Sequence, residues 1–354
     1  MAVLNDEQEM LRDMAREWTK NEHPVGAWRK VRDAGEPFDA DAWSAMAEMG
    51  WAGIIIPEEH GGSDFGWMSL GLVVEELGKS LAASPLIASA LAASAIVLGG
   101  SDEQKAEYLP RLASGELIGT LAFDEGPRHI GLKASAGVHD GRLTGTKAFV
   151  HEASRAGLFV VLASDGVYLV EQGQGVTLSS RALADMRDHA EIDFNDAPAQ
   201  KLAAGGDDLA QKILDRAPRL TAAEMLGMCQ AVFDTTLDYL KQRVQFNQVL
   251  SSFQALQHRM ADLYSELEMT RSAVEGGLQA LDSGFAVTEA AMLAKTRAND
   301  ALHLISKEGI QLHGGIGMTD EYNVGFYLKR ARVLEAAWGA SSHLRDLYAT
   351  TKGY

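Results

Sequence analysis

The chain has 354 residues, 46% apolar and 23% charged, with a net charge of −17 and a pI near 5.0; that length supports two or three packed cores. So acidic a chain, with no Lys/Arg cluster, excludes nucleic acid and anionic membrane as partners, because phosphate contacts need grouped cations. One cysteine, Cys229, excludes an intrachain disulfide and a cysteine-built metal centre, and its apolar helical setting reads as core.

The N-terminus, Met1 to Asp6, lacks a basic segment followed by an apolar run, so no signal peptide is expected. No stretch of about 18 apolar residues predicts a membrane span. A cytoplasmic protein is expected. From Asn5 onward the pattern is helical. Asn5-Asp6-Glu7-Gln8 is a capped start, and Ser101-Asp102-Glu103-Gln104 a capping box with an acidic first turn. Between them Leu70, Val73, Val74, Leu77 and Leu81 recur at helical spacing.

Near Gly119 the pattern changes. Asp140-Gly141 and Asp165-Gly166 lie between short β-rich runs, as in Leu158–Leu162 and Val167–Val170, and each predicts a hairpin. Beyond Asp207 helical periodicity returns. Met260, Leu263, Leu267, Val274, Leu278 and Leu281 form one long stripe, a bundle core or a face buried on a partner. The fold class is therefore α+β, in three zones: a helical domain over 1–118, a small antiparallel β-domain over 119–206 and a helical bundle over 207–354.

Several motifs follow one another in this frame. Pro57-Glu58-Glu59-His60-Gly61-Gly62 precedes Gly100-Ser101-Asp102-Glu103-Gln104-Lys105, Tyr108-Leu109-Pro110 and Ser114-Gly115-Glu116. Later come Arg243-Val244-Gln245-Phe246, Phe253-Gln254, Gln311-Leu312-His313-Gly314-Gly315-Ile316-Gly317 and Glu321-Tyr322. In order and spacing they resemble the acyl-CoA dehydrogenase family across nearly the whole chain. The resemblance implies an N-terminal helical domain, a middle β-domain and a C-terminal four-helix bundle. It also implies FAD as cofactor, and a carboxylate base that takes the α-proton of an acyl-CoA thioester while the β-hydrogen leaves as hydride to flavin N5.

The residues sort into two groups. Arg243 offers a forked, always-charged phosphate ligand. Phe246 falls on a similar helix face and suits an adenine. Gln254 and Gln311 can donate to or accept from ribose or phosphate. Gly314, Gly315 and Gly317 allow backbone to approach a diphosphate, and because they follow a helical run, a Rossmann fingerprint is disfavoured. In the family, such residues reach across a subunit interface to the ADP half of a neighbour's flavin.

The second group is eroded. Trp338, in Ala337-Trp338-Gly339-Ala340, stands where the family's Tyr-Glu-Gly-Thr motif carries its base, and an indole N–H cannot accept a proton. The alternative base position falls on Ala217. Glu335, three residues before Trp338, and Glu224, seven residues or ~10 Å beyond Ala217, are the nearby carboxylates that a relocated base would use. The family's Thr-Glu-Pro-Gly-x-Gly-Ser-Asp loop corresponds to Asp124–Gly131, and its Trp-x-Thr flavin contact to Phe149-Val150-His151. Asp124 would set negative charge beside a ring that becomes anionic on reduction.

What survives would serve a partner's flavin, and what is lost would serve this chain's own. The expectation is a non-catalytic subunit of a heterotetramer whose homologous partner brings the base. Electron-transfer flavoprotein is the expected acceptor, and the resemblance points to acyl-CoA esters with steroid side chains. The alternatives are an active, self-associating homotetramer using Glu224 or Glu335, and a flavin-free scaffold or acyl-CoA-binding protein. No metal site is expected.

Overall fold

The computed structural model describes residues 3–204, 206 and 208–354, so the signal-peptide reading at Met1 and the domain boundary at Asp207 fall outside the described residues. Helices open the chain: α1 (Asp6–Asn21), α2 (Val25–Ala34), α3 (Ala40–Glu48), α4 (Gly66–Ser80), α5 (Leu86–Gly99) and α6 (Asp102–Ala113). Strands follow: β1 (Gly119–Ala122), β2 (Gly137–His139), β3 (Arg142–His151), β4 (Leu158–Ala163), β5 (Gly166–Glu171), β6 (Val176–Ser180), β7 (His189–Pro198) and β8 (Gln200–Lys201). The rest is α7 (Leu209–Leu214), α8 (Ala217–Gln242), a hairpin β9 (Val244–Gln245) and β10 (Gln248–Val249), α9 (Gln254–Ser283), α10 (Val287–His313), α11 (Val324–Ala336) and α12 (Ser341–Thr351). No helix is long and apolar enough to cross a membrane, among the described residues.

Two compact units emerge. The first joins Met1–Trp28, Gly71–Ala82 and Pro218–Tyr354; the second joins Arg29–Leu70 and Ala83–Ala217. Both predicted helix starts carry full capping boxes, at Asn5 and Ser101. In the second unit α5 is buried on every side, so its Ala-rich sequence shows no amphipathic stripe. It lies against β1: a Cβ on Gly119 would stand 2.6 Å from that of Ala92.

The sheets run β1-β4-β5-β8 and β2-β3-β7-β6. The middle region was expected to be antiparallel, and one pair is not: β1 and β4 are parallel, Gly119 opposite Leu158. Asp140 and Gly141, at φ 49° and 71°, make the predicted two-residue turn between β2 and β3. The second hairpin also forms, but its turn is Ser164-Asp165, and Gly166 already pairs with Ala163.

In the first unit the apolar stripe of α9 is buried as its spacing requires. α4 and α8 cross with backbone in contact. A Cβ on Gly227 would lie 1.9 Å from the carbonyl oxygen of Glu75, and one on Gly78 2.3 Å from that of Glu224. Arg271 of α9 clamps this crossing through Glu75 at 2.7 Å and Gln230 at 2.8 Å.

Candidate functional site

At one end of the α9–α10 pair, four segments of the first unit meet. α8 stops at Gln242 and the chain turns through β9 and β10, Val244 opposite Val249. Phe246 and Asn247 form the turn, both left-handed, at φ 53° and 64°, the conformation of a type I′ hairpin. Asn tolerates that region; a phenylalanine there carries about 1–2 kcal/mol of strain. Its ring is 84% exposed and meets Phe253 edge-on at 6.1 Å.

Gln254 is the first residue of α9. α9 and α10 run antiparallel, with Arg259 donating to Glu308 at 2.7 Å and Arg297 to Glu266 at 2.7 Å. Gln311 therefore lies at the same end as Gln254. The Gly314–Met318 turn follows directly. Gly314, at φ 65°, lets the chain leave α10. A Cβ on Gly317 would press on Ile310 O at 3.0 Å, whereas one on Gly315 would meet open space. Arg243 joins this end through Tyr239, whose carbonyl accepts from Arg243 N at 2.8 Å and whose hydroxyl donates to His313 O at 3.3 Å.

Arg243, Phe246, Gln254, Gln311, Gly314, Gly315 and Gly317 are thus gathered at one end of the bundle. Arg243, Gln254 and Gln311 are exposed, and their side chains have no hydrogen-bond or ion-pair partner among the described residues. A free guanidinium, two uncommitted amides, an offered aromatic face and a tight glycine turn fit the ADP half of FAD: charge for phosphate, ring for adenine.

The base position is different. Trp338 is 8% exposed at φ 56°, in the turn between α11 and α12. Two α10 side chains hold that turn from within. Lys295 Nζ, fully buried, donates to Asn299 Oδ1 at 2.5 Å and to Leu334 O at 2.8 Å; Asn299 Nδ2 donates to Gly339 O at 3.3 Å. Burial pushes the Lys295 ammonium down to about 7.

Both alternative carboxylates are committed. Glu224 is buried and receives Arg330 Nε at 2.8 Å and a second guanidinium nitrogen at 3.1 Å, one on each oxygen. Glu335 pairs with Arg332 one helical turn earlier, at 3.0 Å. A carboxylate clasped this way is poorly placed to take a proton from carbon. Ala217, at the other base position, is fully buried.

The eroded loop of the second unit has been rebuilt around charge pairs. Asp124 Oδ1 lies 2.8 Å from His129 Nδ1, in hydrogen-bond contact. Glu125 accepts from Lys147 Nζ at 2.7 Å, Ser135 Oγ at 2.6 Å, Ser135 N at 2.8 Å and Ala136 N at 3.0 Å. Burial alone would raise its carboxyl; Lys147 and the Ser135 and Ala136 donors outweigh that and bring it to about 2. Phe149 sits in a β3–β7 bulge at φ 53° and is 37% exposed. His151 meets His189 edge-on at 4.5 Å.

Three aromatic residues, Phe149, Phe246 and Trp338, thus hold strained left-handed backbone at the positions tied by resemblance to the flavin or the base. Sequence reasoning missed the buried Lys147 and Lys295: Thr146 adjoins the first and Thr296-Arg297 the second, so no unbroken apolar run marks either as a buried charge.

Two family models match the chain: acyl-CoA dehydrogenase, N-terminal domain, over residues 5–116, and acyl-CoA dehydrogenase, C-terminal domain, over residues 204–352. Acyl-CoA dehydrogenase IpdE2 of Mycolicibacterium smegmatis is 32% identical over 93% of both chains. Among solved structures, a Tcur3481-Tcur3483 steroid ACAD variant superposes with a TM-score of 0.92 at 28% identity, covering 98% of this chain and 97% of its own. The ChsE4-ChsE5 complex of Mycobacterium tuberculosis gives 0.92 at 26% identity, with both chains fully covered.

Proposed function

The chain belongs to the acyl-CoA dehydrogenase family, oxidoreductases acting on CH–CH groups, and from that premise we propose that it is the non-catalytic subunit of a heterotetrameric, FAD-dependent member. Its contribution is the ADP-binding half of a flavin site that a homologous subunit completes with ring pocket and base. One observation carries this reading. Arg243, Gln254 and Gln311 stand exposed and uncommitted at one bundle end, while a buried indole, Trp338, stands where the resemblance would put the base, and Glu224 and Glu335 are paired with arginines.

When bound, FAD supplies the hydride-accepting chemistry. Arg243 would hold a phosphate by paired N–H donors, Phe246 would cover the adenine, and Gln254 and Gln311 would orient ribose or phosphate. The partner's carboxylate would take the α-proton. The substrate class is acyl-CoA esters of steroid side chains, supported by the similarity to a steroid ACAD. The electron acceptor is electron-transfer flavoprotein, and the location cytoplasmic.

The test is to purify the chain alone, then co-expressed with a homologous dehydrogenase chain, and count flavins per assembly. The expected result is a colourless lone chain and one FAD per pair of chains in the complex, lost with Arg243→Ala. A lone chain with stoichiometric flavin and turnover would point to a self-sufficient homotetramer. An Arg243→Ala complex with full flavin and activity would point to a scaffold.

A further inference from the structure

We infer that His313 is a positioning residue for the nucleotide half-site: its imidazole, wedged between Tyr239 and Tyr322, sets the spacing between Arg243 and the Gly314–Gly317 turn. This rests on reading that end of the bundle as the ADP-binding half-site. Arg243 and the glycine turn come from segments about seventy residues apart in sequence, just after α8 and just after α10, so something must fix their separation if both are to hold one diphosphate.

The aromatic cluster does this. His313 stacks on Tyr239 with ring centroids 4.4 Å apart and 29° between planes, and tilts against Tyr322 at 4.8 Å and 50°. Tyr239 and Tyr322 close the triangle at 6.0 Å, nearly perpendicular. His313 Nδ1 donates to Gly309 O at 2.7 Å, which fixes the ring's rotation. Both ends of the spacer are tied to ligand-holding backbone. Tyr239 O accepts from Arg243 N, and His313 O, which accepts from the Tyr239 hydroxyl, belongs to the peptide entering Gly314. On the far side, Gly317 folds back so closely that a Cβ there would meet His313 Cβ at 3.1 Å.

The ring also carries an unfavourable feature. His313 is 3% exposed, and its Nε2 is buried without a hydrogen-bond partner. A buried unpaired polar atom is destabilising, and such atoms persist where geometry matters more than stability.

The experiment uses the assembled complex, stripped of flavin and titrated with FAD, with ADP as a competing probe. His313→Ala is expected to weaken FAD and ADP binding by a similar factor, about tenfold, with turnover at saturating FAD unchanged. His313→Phe, which keeps the spacer ring, restores binding most of the way. A residue that only stabilises the fold would instead lower the active fraction and leave affinity alone. Should His313→Ala fail to assemble, Tyr322→Leu, which removes one wall of the sandwich, takes its place with the same expected loss. Affinity unchanged in His313→Ala but lost in Arg243→Ala overturns the positioning role and spares the half-site. Affinity unchanged in both overturns the half-site reading itself.

Discussion

Glu224 offers a sharp test of the division of labour, because a relocated base and a structural ion pair respond oppositely to substitution. The pair with Arg330 is bidentate, at 2.8 and 3.1 Å, with both side chains under 10% exposed. Removing one partner strands the other charge in the interior, which costs about 3–5 kcal/mol. For a protein unit of this size about 2–4 °C accompany each kcal/mol, so Arg330→Met should lower the melting temperature by about 6–20 °C. Glu224→Gln keeps one acceptor but removes the carboxylate's charge from the guanidinium, and should fall in the lower part of that range. The double variant Glu224→Leu/Arg330→Met strands nothing and should recover most of the loss. Calorimetry on all three, with turnover of the assembled complex, makes the comparison. The reasoning is refuted if Glu224→Gln melts like the wild type while turnover disappears.

Other expectations follow from the geometry. Gly227→Ala would gain up to about 1 kcal/mol of helix propensity, but its new methyl would lie 1.9 Å from Glu75 O. Forcing α4 from α8 should outweigh that gain by about 1–3 kcal/mol, seen as a lower urea midpoint. Phe246→Gly should relieve its left-handed strain and stabilise the isolated chain by about 1 kcal/mol, while FAD retention in the complex falls. Glu125, whose folded carboxyl lies near 2, contributes stability that is present above its unfolded value near 4.5 and lost as pH falls from there towards 2. Thermal melts between pH 5 and 2 should show that decline, and it should flatten in Lys147→Met.

How much of this was written in the sequence depends on how local the cause is. The capping boxes at Asn5 and Ser101 and the stripe on α9 could be read directly, since propensity and periodicity act within a few residues. The gathering of Arg243, Gln254 and Gln311 could also be inferred from parity. In an antiparallel run of helices, the end of α8, the start of α9 and the end of α10 fall at one level. The parallel β1–β4 pair could not, because its strands lie some forty residues apart and no turn fixes their direction. Nor could the Glu224–Arg330 clasp, separated by 106 residues, although Glu224 inside Ala222–Met228 marks a charge in an apolar stretch. The contacts of Lys295 and Asn299 beneath the turn at Trp338 could not be read either, since α10 lies some forty residues earlier in the chain.

That internal ammonium has a practical consequence. Burial favours the uncharged amine of Lys295, but an acylating reagent reaches it only when the bundle opens and water restores its ordinary basicity. In the native protein its Nζ meets no solvent. Labelling at this one amine should therefore proceed no faster than α10 parts from α11, while exposed lysines such as Lys20 and Lys30 react at once. Mass spectrometry of the labelled peptide would turn a buried charge into a clock for the local opening of the bundle.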